Sequence, residues 1–428
     1  MTKLEKILII SYFYPPCNLT ASQRVESWAK YLNKSGYYPI IITRKWEKQV
    51  KSFDDCHYST SKEVLIEKNE TYEVYYCPYS ANLRDRLHTE KRFLFFKKAL
   101  SVIEVVFQNI WGRLCPYNNF LAEAEDIINS EHKIHAVIIS GNPFVQFKFG
   151  YEINMKYNIP WIADYRDAWT TSTINNISGS RIKKVLNRYQ QYFEKKWVKR
   201  ASYITASSMP IGKSVGEMVG LESEAIYNGF EPSDFLPYAD TPKIKNYFQI
   251  AYIGTLYDGQ DISIFIEAYK RFIQAKKPSC NLFFPGLDLD LAQKTRVEKL
   301  LKGYENYYKT SLRIPKSEIL KIEKESHLLL HVAWKGHAGI IASKIYEYIG
   351  SGSKIIVVPG DGGSIDEIVK TSRSGFIFDD VNSVYAFLCN EYDKFMQNED
   401  VSQMDNELRM QFSRESQAIK LGLMLNKI

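Results

Sequence analysis

Apolar residues in this chain fall in short dense runs separated by amphipathic stretches. Runs of strand length occur at Ile7–Ile10, Pro39–Thr43, Ala136–Ser140, Trp161–Ala163 and Tyr203–Ala206. A second series follows at Gln249–Gly254, Asn281–Pro285, Leu328–Ala333, Lys354–Val358 and Gly375–Phe378. Several are almost wholly apolar, as parallel strands covered on both faces should be. Between them lie helical patterns. Val25, Trp28, Ala29 and Leu32 are spaced to share one helix face, and Gly36 follows where a left-handed C′ residue would end the helix. Ile341, Ile345, Tyr348 and Ile349 form a second stripe.

Strand and helix alternation predicts α/β architecture with doubly wound parallel sheets. At 428 residues the chain exceeds one ordinary core, so two domains are expected. The break falls in EPSDFLPYADTPKI, residues 231–244. The reading is therefore two Rossmann-like domains, 1–235 and 245–400, facing each other across a cleft. A last helical pattern at about 403–425, within a segment 401–428, is expected to cross back to the first domain.

The aromatic-rich stretch 93–111 is interrupted by Lys97, Lys98 and Glu104. It reads as a helix facing the first core, with an amphipathic helix on a membrane surface as the alternative. Net charge is +7, spread along the chain with no dense basic tract, so nucleic acid is not an expected partner. A mild positive excess suits anionic substrates or an anionic bilayer face. The six cysteines are scattered, and no signal segment or 18-residue apolar span occurs. Together these indicate reduced thiols in a cytoplasmic protein, with contact at the inner membrane face left open.

In open α/β sheets ligands bind beyond the carboxyl ends of the strands. After Ile7–Ile10, Tyr14-Pro15-Pro16 makes a rigid turn before a helix whose first turn carries Arg24. Arg24 is either a fork for phosphate or carboxylate or a solvated residue on a capped helix. In SGNPF, Ser140, Gly141 and Asn142 are candidate acceptor contacts, although Asn142 before Pro143 is also a good N-cap pair. IADYRDAW sets Asp164, Arg166 and Asp167 at a strand end, where charge is costly unless paired or bound. An internal Arg–Asp pair is the plainer alternative to a catalytic role.

The segment GIIASKIYEYIGSGSKIIVVPGDGGSIDEI carries most of the chemistry. Lys344 should lie in the first turn of its helix, where a cation opposes the helix dipole unless an anion shares the site. Glu347 is three positions on and can accept two hydroxyl hydrogen bonds from a ribose. Gly339, Ile340 and Ile341 lead into this helix. Downstream, Gly362 and Gly363 precede Ser364, which with Glu367 fits a capping box, and the loop N–H groups can face a diphosphate or sugar hydroxyls. No metal site is expected. Asp288 and Asp290 sit at an expected helix start, and His327 and His331 flank a strand rather than a helix turn.

In order and spacing these motifs resemble family 4 of the retaining glycosyltransferases, of the GT-B architecture and bacterial surface-polysaccharide type. ISYFYPP, SGNPF, PWIADYRDAW, IYNGFEPSDF, AYIGTL and KIYEYIGSGSKIIVV carry the likeness over nearly the whole length. It implies transfer of a sugar from a nucleotide-diphosphate donor, UDP foremost, to a hydroxyl of a glycan or polyprenyl-linked oligosaccharide. No cofactor or metal is implied. Glu347 matches the family glutamate that binds the ribose, whereas Gly339 stands in place of its partner eight positions earlier. Thr255, after Gly254, and Asp261 occupy the places of two basic residues that neutralise the departing diphosphate. Lys344 and Arg166 are the proposed substitutes, Arg166 standing where the family often has a histidine. The loop LRIPKSEI matches the base-binding loop, which makes Arg313 and Ile314 candidates through backbone groups. The alternatives are a sugar-nucleotide epimerase of the same fold and a degenerate binding protein.

Overall fold

The computed structural model describes residues 4–50, 52–90, 94–110, 115–131, 133–172, 181–337, 339–399 and 405–428. The chain divides into two compact units, Met1–Tyr227 with Ala418–Ile428, and Asn228–Gln417.

The first unit is built on β1 (Glu5–Ser11), β2 (Tyr37–Arg44), β3 (Leu65–Lys68), β4 (Glu73–Cys77), β5 (Ala136–Gly141), β6 (Trp161–Tyr165), β7 (Tyr203–Ala206) and β8 (Ser223–Ala225). They form one sheet in the order β3-β4-β2-β1-β5-β6-β7-β8, parallel except for β3 against β4. Ile7, Leu8, Ile9 and Ile10 have no exposed surface, because helices cover both faces of the strand. The helix Thr20–Tyr31 continues as a 3-10 turn, Leu32–Ser35. It stops at Gly36, whose φ of 88° only glycine adopts without strain.

The second unit holds β9 (Phe248–Ala251), β10 (Cys280–Pro285), β11 (Tyr308–Ser311), β12 (Leu328–His331), β13 (Lys354–Val357) and β14 (Gly375–Ile377). Their order is β11-β10-β9-β12-β13-β14, all parallel. The winding reverses between β9 and β12, which makes their carboxyl ends the topological switch point. The expected class is the one found: two α/β units, each wound around a mainly parallel sheet. Short strands β3, β4, β8 and β11 escaped the sequence reading; β3 is exposed throughout and β11 is without a buried position.

Two expected helices come out differently. The helix Leu94–Ile110 leaves Phe96, Val102, Ile103 and Ile110 exposed while Asn109 is buried, so it is not the core-facing element expected; residues 93 and 111 lie outside the described residues. The terminal pattern breaks into Asn406–Met410 and Arg414–Leu425. Between them the backbone bonds to Phe230 instead, through Phe230 N–H to Phe412 O (3.1 Å) and Arg414 N–H to Phe230 O (2.8 Å).

Candidate donor site

The first-unit candidates resolve mainly into an internal charge network. Arg24 is 2% exposed and Asp164 0%, and the guanidinium reaches the carboxylate at 2.6 Å through Nη2 and 3.0 Å through Nε. Ser140 Oγ (2.8 Å) and Thr205 Oγ1 (2.7 Å) donate to the same carboxylate, and Arg24 Nη1 donates to the Ile226 carbonyl at 2.5 Å. Parallel register sets Ser140, Asp164 and Thr205 side by side on adjacent strands. The expected substrate roles of Arg24, Ser140 and Asp164 are therefore corrected. Their hydrogen-bonding groups are turned onto one another, because an unpaired buried charge would be far more costly.

Arg166 and Asp167 lie just past this network. Arg166 pairs with its neighbour at 2.7 Å and rests over the Phe13 ring at 5.4 Å. Asp167 remains 57% exposed at the side chain, so the pair faces solvent at a strand end. Asn142 is exposed and is not an N-cap: the 3-10 turn Phe144–Gln146 starts from Pro143. Gly141 is buried, and a Cβ there would come within 2.7 Å of the Phe144 ring, which gives it a packing role.

The second unit differs. The helix Lys344–Ser351 begins with Lys344. Its ammonium donates to the Ile253 carbonyl at 3.0 Å and lies 3.8 Å from the centre of the Tyr252 ring. Tyr348, one helical turn on, accepts the Ile253 N–H at 2.8 Å. The helix is thereby fixed to the segment leaving β9, and Lys344 sits at the switch point. Among the described residues no carboxylate pairs with it, and burial pushes its pKa down to about 7. Buried His331, at the end of β12, is held neutral near pH 7 by burial and by Lys344, with a pKa of about 3.

Glu347 shares a helix face with Lys344 but makes no hydrogen bond to it or to any other described residue. Burial raises its pKa, opposed by Lys316 and Arg414. Behind it, Glu323 is wholly buried and neither carboxyl oxygen has a partner among the described residues. Burial, then the charge of Glu347, raises the Glu323 pKa well above the usual carboxylate range.

Gly254 follows β9 with φ of 84°, and nothing lies within 4 Å of where its Cβ would be, so the backbone is open to close approach. Thr255 and Arg313 are exposed, and Ile314 is half-buried in the turn after β11. Gly339, Ile340 and Ile341, all half-buried, lie on the approach to Lys344. Asp261 caps a helix start, accepting the Ser263 N–H at 3.0 Å.

The glycine loop is a correction. Asp361, rather than Ser364, caps the helix Ser364–Thr371, accepting N–H groups of Gly363 (2.8 Å), Ile365 (3.0 Å) and Asp366 (3.2 Å). Asp366 accepts the N–H groups of Asp361 (3.1 Å) and Gly362 (3.2 Å). The amides of Gly362 and Gly363 thus serve two carboxylates of their own loop, and Ser364 is 2% exposed. Sequence reading passed over Asp361 because it weighed only the serine–glutamate spacing. Tyr252, Tyr348, His331 and Glu323 were also missed, since each looks like an ordinary core or helix position. Asp288 and Asp290, as expected, do helix-start work: one pairs with Lys294 at 3.2 Å and the other caps Leu291–Leu300.

No family model matches the chain. An uncharacterized glycosyltransferase of Methanocaldococcus jannaschii is 25% identical over 401 residues, covering 89% of this chain and 86% of the relative. Sucrose-phosphate synthase from Thermosynechococcus elongatus superposes with a TM-score of 0.59 at 12% identity, covering 99% of this chain and 98% of that one. HepE from Anabaena, solved with UDP and glucose, gives 0.57 at 14% identity over 99% and 100% of the two chains. The relative and these structural neighbours are glycosyltransferases, and the shared fold spans both units of this chain.

Proposed function

We propose that this protein is a glycosyltransferase that moves a sugar from a nucleotide-diphosphate sugar, UDP foremost, to a hydroxyl of a lipid-linked glycan. The observation that carries the reading is the pair at the β9–β12 switch point. There an ammonium and a carboxylate share one helix face, and neither is bonded to an opposite charge among the described residues, Lys316 and Arg414 acting on Glu347 only through space. An anion at Lys344 would satisfy both its charge and the helix amino end, and Glu347 would take the ribose hydroxyls.

In the reaction the bond from C1 to the diphosphate oxygen breaks as an oxocarbenium-like centre forms. The electron pair leaves with the diphosphate, and Lys344 supports the growing negative charge. The acceptor hydroxyl bonds to C1 as its proton passes to the departing diphosphate oxygen. Retention at C1, independence of metal and a role in surface polysaccharide synthesis belong to the same proposal and rest on the family resemblance. The exposed apolar residues of Leu94–Ile110 support contact with the inner membrane face, where such acceptors reside. Among the described residues no helix is long and apolar enough to cross a membrane.

A second reading, a catalytically degenerate nucleotide-sugar binder, is favoured by Asp261, which caps a helix where the resemblance implies a lysine. Purified protein incubated with UDP-, GDP- and ADP-sugars, with and without a polyprenyl-linked acceptor, separates the readings. Glycosylated acceptor plus released nucleotide is expected. An epimer formed without acceptor would make the protein an epimerase. Binding without turnover across the panel would support the degenerate reading.

A further inference from the structure

The opposite edge of the second sheet carries charge that the donor reading does not use. A groove of about 1490 Å³ runs along the amino ends of β9, β12, β13 and β14, lined wholly by residues of the second unit. Lys243, Lys245, Lys324, Lys370, Arg373 and Arg409 line it, and among the described residues none of the six has a carboxylate within ion-pair distance. Lys354 and Lys394 also line it and share Glu391. Two lining carboxylates oppose these eight cations, and one of them, Asp405, is occupied capping Asn406–Met410.

Helix carboxyl ends gather on this edge and account for part of the pattern. Lys324, Lys370 and Lys394 stand in last turns, where a cation complements the dipole. Arg409 likewise stands in the last turn of Asn406–Met410, and Lys243 donates to the carbonyls of Lys324 (2.8 Å) and Ser326 (2.6 Å) at the end of Lys316–Glu325, whereas the side chains of Lys245 and Arg373 meet no hydrogen-bond partner among the described residues. Lys243 is driven down to about 7 by burial and by the charges of Lys324 and Lys354. Arg409 donates to the Gly350 carbonyl (3.2 Å) and Asn406 (2.7 Å), yet its Nε is buried without a partner. Arg373 occupies the left-handed position after a helix, at φ of 50°, where glycine or asparagine is the inexpensive choice. Phe376 and Leu236, 47% and 72% exposed, give the groove an apolar border.

We propose that this groove is a second anion site, binding a multiply charged phosphate group at the edge of the sheet away from the donor. The four-residue strand β13 alone separates the two edges by ~13 Å, so one small ligand does not fill both. The phosphate can belong to a lipid headgroup or to a free phosphorylated molecule; both present the same charge to the same side chains.

The test uses the full chain in 150 mM salt. Inorganic pyrophosphate is titrated by calorimetry, and co-sedimentation is measured with vesicles of phosphatidylcholine alone or with 30% phosphatidylglycerol. Binding of pyrophosphate, of the anionic vesicles, or of both is expected, and the arm that responds names the source. K370E/R373E should weaken that binding at least tenfold, and K245E several-fold; all three positions are exposed, so folding is preserved. Because pyrophosphate would also occupy the donor edge if the donor reading holds, both arms are repeated in a K344A background, where binding and its loss on K370E/R373E should persist. Binding that survives charge reversal in that background, or that K344A alone abolishes, overturns the proposal, as does the absence of binding in both arms. Read in K344A, these outcomes stand whether or not the donor reading holds.

Discussion

The two units are built alike and treat charge at their strand ends in opposite ways. In the first, Arg24 and Asp164 are sealed into one network with Ser140 and Thr205, and Arg24 and both hydroxyls all meet acceptors. In the second, Lys344, Glu347 and Glu323 sit at or behind the switch point with no counter-charge bonded to them among the described residues. Satisfied polar networks hold a fold; unsatisfied ones hold free energy that a ligand can release. Charge at the end of a parallel strand is therefore ambiguous by itself. What separates the units is whether the neighbouring strands supply partners, as Ser140 and Thr205 do for Asp164.

The largest effect should come from breaking the closed network. Asp164→Asn leaves the Arg24 guanidinium buried against a neutral amide, a loss of about 3–5 kcal/mol. Thermal unfolding should show a drop of several degrees or more. The double variant Arg24→Met/Asp164→Leu should recover much of it, because neither buried charge remains. UDP-sugar affinity below the unfolding transition should be unchanged. If Asp164→Asn keeps its stability but loses turnover, the first unit would be catalytic in the way that its burial argues against.

The open site should respond in the other currency. Glu347→Ala is expected to weaken UDP-sugar binding by ~1–3 kcal/mol, measured by calorimetry, with little change in melting temperature. An unaltered affinity removes the ribose role. Lys344→Met should lower kcat more than it raises KM, as for a group that acts on the leaving diphosphate. Proton linkage gives a second readout. Its pKa of about 7 lies below the ordinary lysine value, so the unliganded protein binds fewer protons than the unfolded chain. Stability from this group accordingly rises with pH between about 7 and 10.5. A bound diphosphate raises the pKa, so donor binding near pH 8 should take up protons from buffer. Lys344→Met should abolish that uptake.

Much of the fold was legible because parallel strands buried on both faces are dense apolar runs. Ten strands could be read this way, while exposed β3, the short β8 and half-polar β11 carry no such signature. The donor edge was partly legible: Lys344 at a helix start and Glu347 one turn on are local features. Arg24 meeting Asp164 is not, since the two lie 140 residues apart and only the winding of the sheet joins them. The glycine loop misled for a related reason. Gly362 and Gly363 advertise free amides, but Asp361 and Asp366, within a few positions, turn those amides inward.

The smallest expected effect tests the comparison most finely, because both units contain a buried glutamate. Glu194 in the first unit accepts from Tyr165 Oη (2.9 Å) and from both the N–H (3.3 Å) and hydroxyl of Thr170. Burial raises its pKa to about 6, and those donors limit the rise. Among the described residues Glu323 in the second unit has no donor, and it faces Glu347 from the adjoining helix, with Lys316 opposing. Both are raised, so the folded protein holds more protons than the unfolded chain above about pH 4.5, and stability falls as pH rises. For Glu194 that loss ends near pH 6; for Glu323 it continues higher. Glu323→Gln cannot ionise and should become progressively more stable than the parent as pH rises from 6 to 8. Glu194→Gln should show no further divergence over that interval. Parallel melting curves for both variants against pH decide it: equal slopes would mean that the second unit's carboxyl is as well partnered as the first's, and the contrast between the two sites would fail.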